Sequence, residues 1–261
     1  MNKDQKLLEE AYQSICESSN GEPLYFGPAK DKQRWLKWLK RLYHEVYEDG
    51  SVSINQDVDL ENKQLTRLPF NFWKVEGSFR CHRNQLYTLE GAPEIVEGGF
   101  NCSENNLISL EKGPKQVEGL YSCINNELIT LKGAPAVVGM FECRSNHLKT
   151  LKGGPKECKK TYLCSYNKLV SLEGAPEVVG EDFYCSFNSL TSLKGAPKKV
   201  LGGFWCAENP INTLEGAPEI ITNKFTCTQF TDKDYRQFAK LREVVGKNLS
   251  SELNIDLDDF S

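Results

Sequence analysis

Phe100-Asn101-Cys102-Ser103-Glu104-Asn105-Asn106-Leu107-Ile108-Ser109-Leu110 decides the fold, because its pattern returns along most of the 261-residue chain. Eight cysteines mark the returns: Cys81, Cys102, Cys123, Cys143, Cys164, Cys185, Cys206 and Cys227, with gaps of 21, 21, 20, 21, 21, 21 and 21 residues. An aromatic stands two residues before each, from Phe79 to Phe225, with Tyr121 and Tyr162 among them. Three residues after the Cys comes Asn84, Asn105, Asn126, Asn146, Asn167, Asn188 or Asn209. An aliphatic-x-x-Leu follows, then a Gly-Ala-Pro corner or a variant of it, then a small apolar residue before the next aromatic.

Self-similarity at this period marks a solenoid. The aromatic, the Cys and the aliphatics step inward, so each coil adds one layer to a continuous core, on strands about 4.8 Å apart. The Asn column makes a ladder in which the amides satisfy backbone groups at the turn after the strand. Gly-Ala-Pro makes a tight corner. About 21 residues are used up by one strand and its corners, which leaves no room for a helix on the outer face.

The row from Phe100 to Leu110 resembles the leucine-rich repeat L-x-L-x-x-N-x-L-x-x-L, with Phe and Cys in the first two leucine slots. Val58 to Leu68 is a degenerate first coil in which Lys63 stands in the Asn slot. The Gly-Ala-Pro variant is similar to repeat proteins encoded by tailed bacteriophages. That resemblance implies partner binding without a shared catalytic motif, and a host bacterial protein as the partner, with blocking or sequestration of a defence component as one role.

The expected fold is thus a repeat solenoid, a parallel β-sheet of about nine leucine-rich-repeat-like coils with α-helical caps at both ends. Its parts are an N-terminal helical cap (1–51), the solenoid (52–230), and a C-terminal cap helix with an acidic tail (231–261). The N-terminal cap reads as two amphipathic helices, about Asp4 to Glu17 and Ala29 to Glu48, and the C-terminal helix begins at Thr231 and ends at Gly246.

Composition sets further bounds. A formal net charge of −4 argues against whole-protein attraction to nucleic acid or to a membrane surface. No apolar run approaches the roughly 18 residues of a membrane span, and Met1 to Glu10 lacks the apolar core of a signal peptide, so a cytoplasmic protein is expected, in the host cytoplasm if phage-encoded. No Cys-x-x-Cys occurs, so neither a metal site nor a cofactor is assigned. The repeat cysteines read as small buried hydrophobes and the Ser/Thr column from Thr88 to Thr213 as turn hydroxyls, which leaves no nucleophile and no enzyme.

Function is expected where sequence varies without harm to the fold, at outward positions. Leu163, Tyr166, Tyr184, Phe187 and Trp205 gather on three consecutive coils, of the residue types that anchor protein interfaces. Arg80, His82 and Arg83 lie at the other end and are expected to steer the partner. The C-terminal tail or a second copy covering the aromatic patch stays open, as does the oligomeric state. The alternative from another class is a nucleic-acid-associated protein using the basic stripe Lys30, Arg34, Lys37 and Arg41.

Overall fold

Each repeat allows only very short strands, and very short strands are what form. The computed structural model describes residues 22–227, and over them the chain winds into a parallel β-solenoid of about eight turns, with one short helix near its start.

Two strand rows run along the solenoid instead of the single row expected. The first carries the small apolar column: β2 (Val52–Ile54), β4 (Phe72–Val75), β6 (Ile95–Val96), β10 (Glu157–Cys158), β12 (Val178–Val179), β14 (Lys199–Val200) and β16 (Ile220–Ile221). The second carries the aromatics: β3 (Val58–Asp59), β5 (Phe79–Arg80), β7 (Phe100–Asn101), β11 (Tyr162–Leu163), β13 (Phe183–Tyr184), β15 (Phe204–Trp205) and β17 (Phe225–Thr226). In mid-solenoid β8 (Gln116–Ser122) and β9 (Val137–Glu142) run through both rows. Between these two strands the register slips after Val117, so that Val117 pairs with Val138 but Leu120 with Met140. A bulge in β8 therefore absorbs the residue missing from the 20-residue repeat.

The core is a set of columns. The second-row rings stack coil on coil, from Phe79 to Phe225, with centroids 5.1 to 5.8 Å apart. The Cys and Leu columns behind them are buried. The Asn ladder forms as expected. Asn105 donates from Nδ2 to the carbonyls of Cys81, Cys102 and Ser103 at 3.0 to 3.1 Å and accepts the Leu86 N–H at 2.9 Å. Asn209, five coils on, makes the same four bonds to its own neighbours. No helix interrupts the repeats among the described residues.

The start of the solenoid departs from expectation. A single 3₁₀ turn (Ala29–Asp31) leads into α1 (Lys32–Leu39), and the helix stops there instead of reaching Glu48. The chain returns as β1 (His44–Val46), antiparallel to β2. The turn is made by Asp49-Gly50: Gly50 has a φ of 76°, and the Asp49 carboxylate accepts the Ser51 N–H and hydroxyl at 2.9 and 2.6 Å. Leu42, Tyr43, Val46 and Tyr47 suit a helical stripe and a hairpin alike, and the Asp-Gly turn decides for the hairpin. Trp35 and Leu39 are buried against the first coil, and Trp38 stacks on Phe70 with centroids 6.4 Å apart. Helix and hairpin thus cover the first coil and pair the edge of β2. The helices expected at Asp4 to Glu17 and Thr231 to Gly246, and the acidic tail, lie outside the described residues.

One pair of columns is coupled inside the core. The corner residue before Pro is Ala in five coils and Gly at Gly113 and Gly154, and the next ring, eight residues later (seven after Ala134), is Phe after Ala but Tyr after Gly. A Cβ at Gly113 would lie 3.1 Å from the Tyr121 hydroxyl, and one at Gly154 the same distance from the Tyr162 hydroxyl. The phenol oxygen occupies the space of the missing methyl. Both hydroxyls are buried with only a thiol beside them, Cys102 for Tyr121 and Cys143 for Tyr162, and a thiol is a weak partner.

Two substitutions test this coupling. Gly113→Ala alone is expected to destabilise by about 1–2 kcal/mol through overpacking. Combined with Tyr121→Phe it is expected to leave the protein at least as stable as the parent, because the pair becomes the Ala and Phe of the other coils. Thermal melts of the two singles and the double close the cycle; additive effects would show the coupling absent.

Candidate docking surface

The register of the second strand row places Leu163, Tyr184 and Trp205 side by side, Leu163 opposite Tyr184 and Tyr184 opposite Trp205. All three are only half-exposed, because rungs this close cover one another's faces. Trp205 is the most enclosed chemically. Tyr184, from the coil before, stacks on it with centroids 5.6 Å apart and planes 3° apart. The Lys224 ammonium, from the coil after, lies 4.9 Å from its ring centre. Its indole N–H is buried without an acceptor and lies over Gly203. The Tyr184 hydroxyl donates to Asp182 at 3.2 Å.

Tyr166 and Phe187 sit beyond the strand, in the turn before the ladder Asn. They are the exposed members, at 54% and 44%, and stack with centroids 4.4 Å and planes 7° apart. Their backbone is left-handed, with φ of 57° and 56°. So is that of every described residue in this column, including Arg83, Glu104, Asn125, Ser145 and Glu208. Asn suits that conformation; a large aromatic there is a strained choice, costing about 1–2 kcal/mol. Two neighbouring coils carry that cost on solvent-facing rings.

At the other end, Arg80, His82 and Arg83 also come together, each against a carboxylate. Arg80 pairs with Asp57 at 2.9 Å, His82 with Glu61 at 3.2 Å, and Arg83 with Glu61 at 3.1 Å and Glu104 at 3.3 Å. Their charge is locally compensated. Steering from here would run through the whole network, not through three free cations.

An apolar ridge escaped the sequence reading. Tyr87, Ile108 and Ile129, each directly after the first Leu of its coil, are 58%, 59% and 65% exposed on three successive coils. Outward positions next to the strands were compared, and this column lies past the Asn turn. Its signal was a run of three aliphatic or aromatic residues where later coils carry Lys149, Val170, Thr191 and Asn212, of which Val170 alone is apolar.

The cysteines and several of the Ser/Thr column are engaged in packing and turns. The nine described cysteines are buried. Burial pushes the Cys81, Cys123, Cys164 and Cys185 thiols well above their ordinary range. Cys158, in the small apolar column, is pushed up to about 11 by burial, and its thiol faces the carbonyls of Thr161, Lys160 and Gly139 at 3.4 to 3.7 Å. Cys16 lies outside the described residues. Thr88, Thr130, Ser171 and Thr213 accept the backbone N–H two residues on at 3.1 to 3.2 Å, as turn hydroxyls do. Among the described residues no group of three or more His, Cys, Asp or Glu could hold a metal ion, and no helix is long and apolar enough to cross a membrane.

Comparison with protein-family models, with curated proteins and with solved structures gave no match to this chain.

The thiols set an alkaline limit. A thiol whose folded pKa is raised keeps its proton when the unfolded chain has lost it, so its contribution is complete below the unfolded value and is lost as pH rises. For Cys158 the window runs from its ordinary value of 9.0 to about 11, a loss of about 3 kcal/mol across it. Urea melts are expected to show constant thiol-dependent stability below pH 8 and a fall above pH 9, and Cys158→Val should make that fall shallower.

Proposed function

We propose that this protein is a non-enzymatic binding module that docks a protein partner on its later coils. The observation that supports this best is the pair Tyr166 and Phe187. They are exposed and stacked on neighbouring coils, at a left-handed turn position where the other described coils carry the polar or charged Arg83, Glu104, Asn125, Ser145 and Glu208. Packing does not require these rings, since Asn125 and Ser145 fill the same slot in earlier coils. Large rings kept exposed at a position that other coils fill with polar residues are a mark of an interface.

Leu163, Tyr184 and Trp205 extend the surface beside them. With edges outward and faces stacked, such a surface suits burial against a protein's apolar side chains. Tyr and Trp, with their large area and few rotors, are the usual anchors. On this reading the chain is of the leucine-rich-repeat-like, Gly-Ala-Pro kind seen in tailed-bacteriophage proteins, and its partner is a host bacterial protein that it blocks or sequesters in the host cytoplasm. The mechanism is steric, and no catalytic step is assigned to the chain.

The test is the double variant Tyr166→Asn, Phe187→Asn. Relief of the left-handed strain is expected to keep or raise the melting temperature, by up to a few degrees. A host protein captured by the parent chain should be lost by the variant, with affinity down at least about 100-fold by titration calorimetry. Equal capture by both chains would refute the reading. So would a parent that is a dimer in solution and a variant that is a monomer, since the patch would then serve self-association.

A further inference from the structure

A depression of about 520 Å³ lies between α1 and the first coil, at the opposite end from the aromatic surface. Arg34 and Lys37 enter it from α1 and Arg41 from the turn after it, while Lys63 comes from the first coil. Trp35 and Trp38 line it as well, and Asn62 and Gln64 flank Lys63 with amide groups. No carboxylate lines it. Asp31, one turn before Arg34, lies outside the lining.

Three features set this cluster apart from an ordinary solvated face. Along the repeats, many lysines pair with glutamates of the adjacent coil, such as Lys115 with Glu94, Lys132 with Glu111, Lys152 with Glu173, and Lys198 with Glu177, at 2.7 to 2.8 Å, while those without such a pair, among them Lys149 and Lys168, are not gathered around one depression. Among the described residues, Arg34, Lys37, Arg41 and Lys63 have no such partner, though two separate segments bring them together.

Lys63 is also the one break in the Asn column before its end. Asn84 closes the ladder there by accepting the Lys63 and Leu65 N–H groups at 2.9 and 3.0 Å, so the lysine side chain has no ladder role. Finally, Asn62 and Gln64 are both left-handed, with φ of 52° and 57°. Left-handed backbone at Asn62 belongs to its column, but at Gln64 it occurs in no later described coil. The loop that presents Lys63 is strained where the rest of the repeat is not.

Like charges held together repel unless an anion joins them. Arg offers a planar fork and Lys a compact charge, the two usual donors to phosphate oxygens, and the amides add neutral donors. Four cations around one depression exceed what a single phosphate needs. We infer that this depression binds two or more linked phosphates, as in a free polyphosphate or the backbone of a single-stranded nucleic acid. Trp38, half-buried beside the cations, reports occupancy and offers a ring to a base when the phosphates belong to a nucleic acid.

The test uses the full chain in low salt, titrated with inorganic tripolyphosphate and, separately, with a short oligothymidylate, followed by calorimetry and tryptophan fluorescence. Saturable binding is expected, falling steeply with added salt. Lys63→Asn should weaken it about tenfold without loss of melting temperature, because Asn is the residue the ladder carries elsewhere. Lys37→Gln, on the exposed face of α1, should do the same and serves if Lys63→Asn disturbs the first coil. Binding of tripolyphosphate sensitive to these variants assigns the site to free anions. Variant-sensitive binding of the oligonucleotide alone assigns it to a nucleic-acid backbone. No saturable binding of either probe, or binding unchanged in both variants, overturns the inference. Neither variant touches Tyr166 or Phe187, so this site and the docking surface stand or fall separately.

Discussion

The structure depends on one amide repeated along its length. At each turn where a coil leaves the second strand row, the backbone changes direction and would bury unpaired donors and acceptors. The ladder Asn answers both needs. Asn146 donates to Cys123 of the coil before and to Cys143 and Arg144 of its own, and accepts the Leu128 N–H from the coil before. Each side chain thus ties two coils and fixes their register. An unpaired buried carbonyl or N–H would cost about as much as several methylenes of core packing supply. Aromatic stacking, thiol burial and the Leu columns then follow, because equivalent atoms are held one rung apart.

That spacing has opposite effects inside and outside. Inside, it lets rings stack in a dry column and forces compensation wherever one grows, as Tyr121 and Tyr162 show against Gly113 and Gly154. Outside, it makes large neighbours cover each other. Trp205 is thereby held between Tyr184 and Lys224, while Tyr166 and Phe187, in the turn, stay exposed. Solvent-facing charges obey the same spacing, so most pair coil to coil. The unpaired cations around Lys63 stand out against that background, as do the exposed rings at the far end, which stand where other coils carry polar residues. Both candidate surfaces are places where the repeat's own rules are broken.

How far each feature was legible follows from its periodicity. The solenoid, the ladder, the buried thiols and the Ser/Thr turn column each repeat seven or eight times, and a column read in register leaves little choice of environment. The second strand row was missed because two-residue strands lie below the length at which alternation can be recognised. The start of the chain was misread for a different reason: Leu42 to Tyr47 satisfies both a helical and an extended period, and the hydrogen bonds of Asp49 and Ser51 settle it. The exposure of the outward residues relative to one another was not visible. Sequence marks a side chain as outward without saying whether a neighbour lies over it.

By itself the sequence determined the period, the columns, and which residues face inward, because a solenoid repeats one environment and a 21-residue register admits one assignment of faces. Tertiary structure decided what breaks the repeat. It turned the second cap helix into a hairpin and placed a bulge where one residue is missing. It also enclosed Trp205 while leaving Tyr166 and Phe187 open, and brought Lys63 to the cations of α1. These outcomes depend on contacts between segments that share no period, and such contacts exist only once the coils are wound.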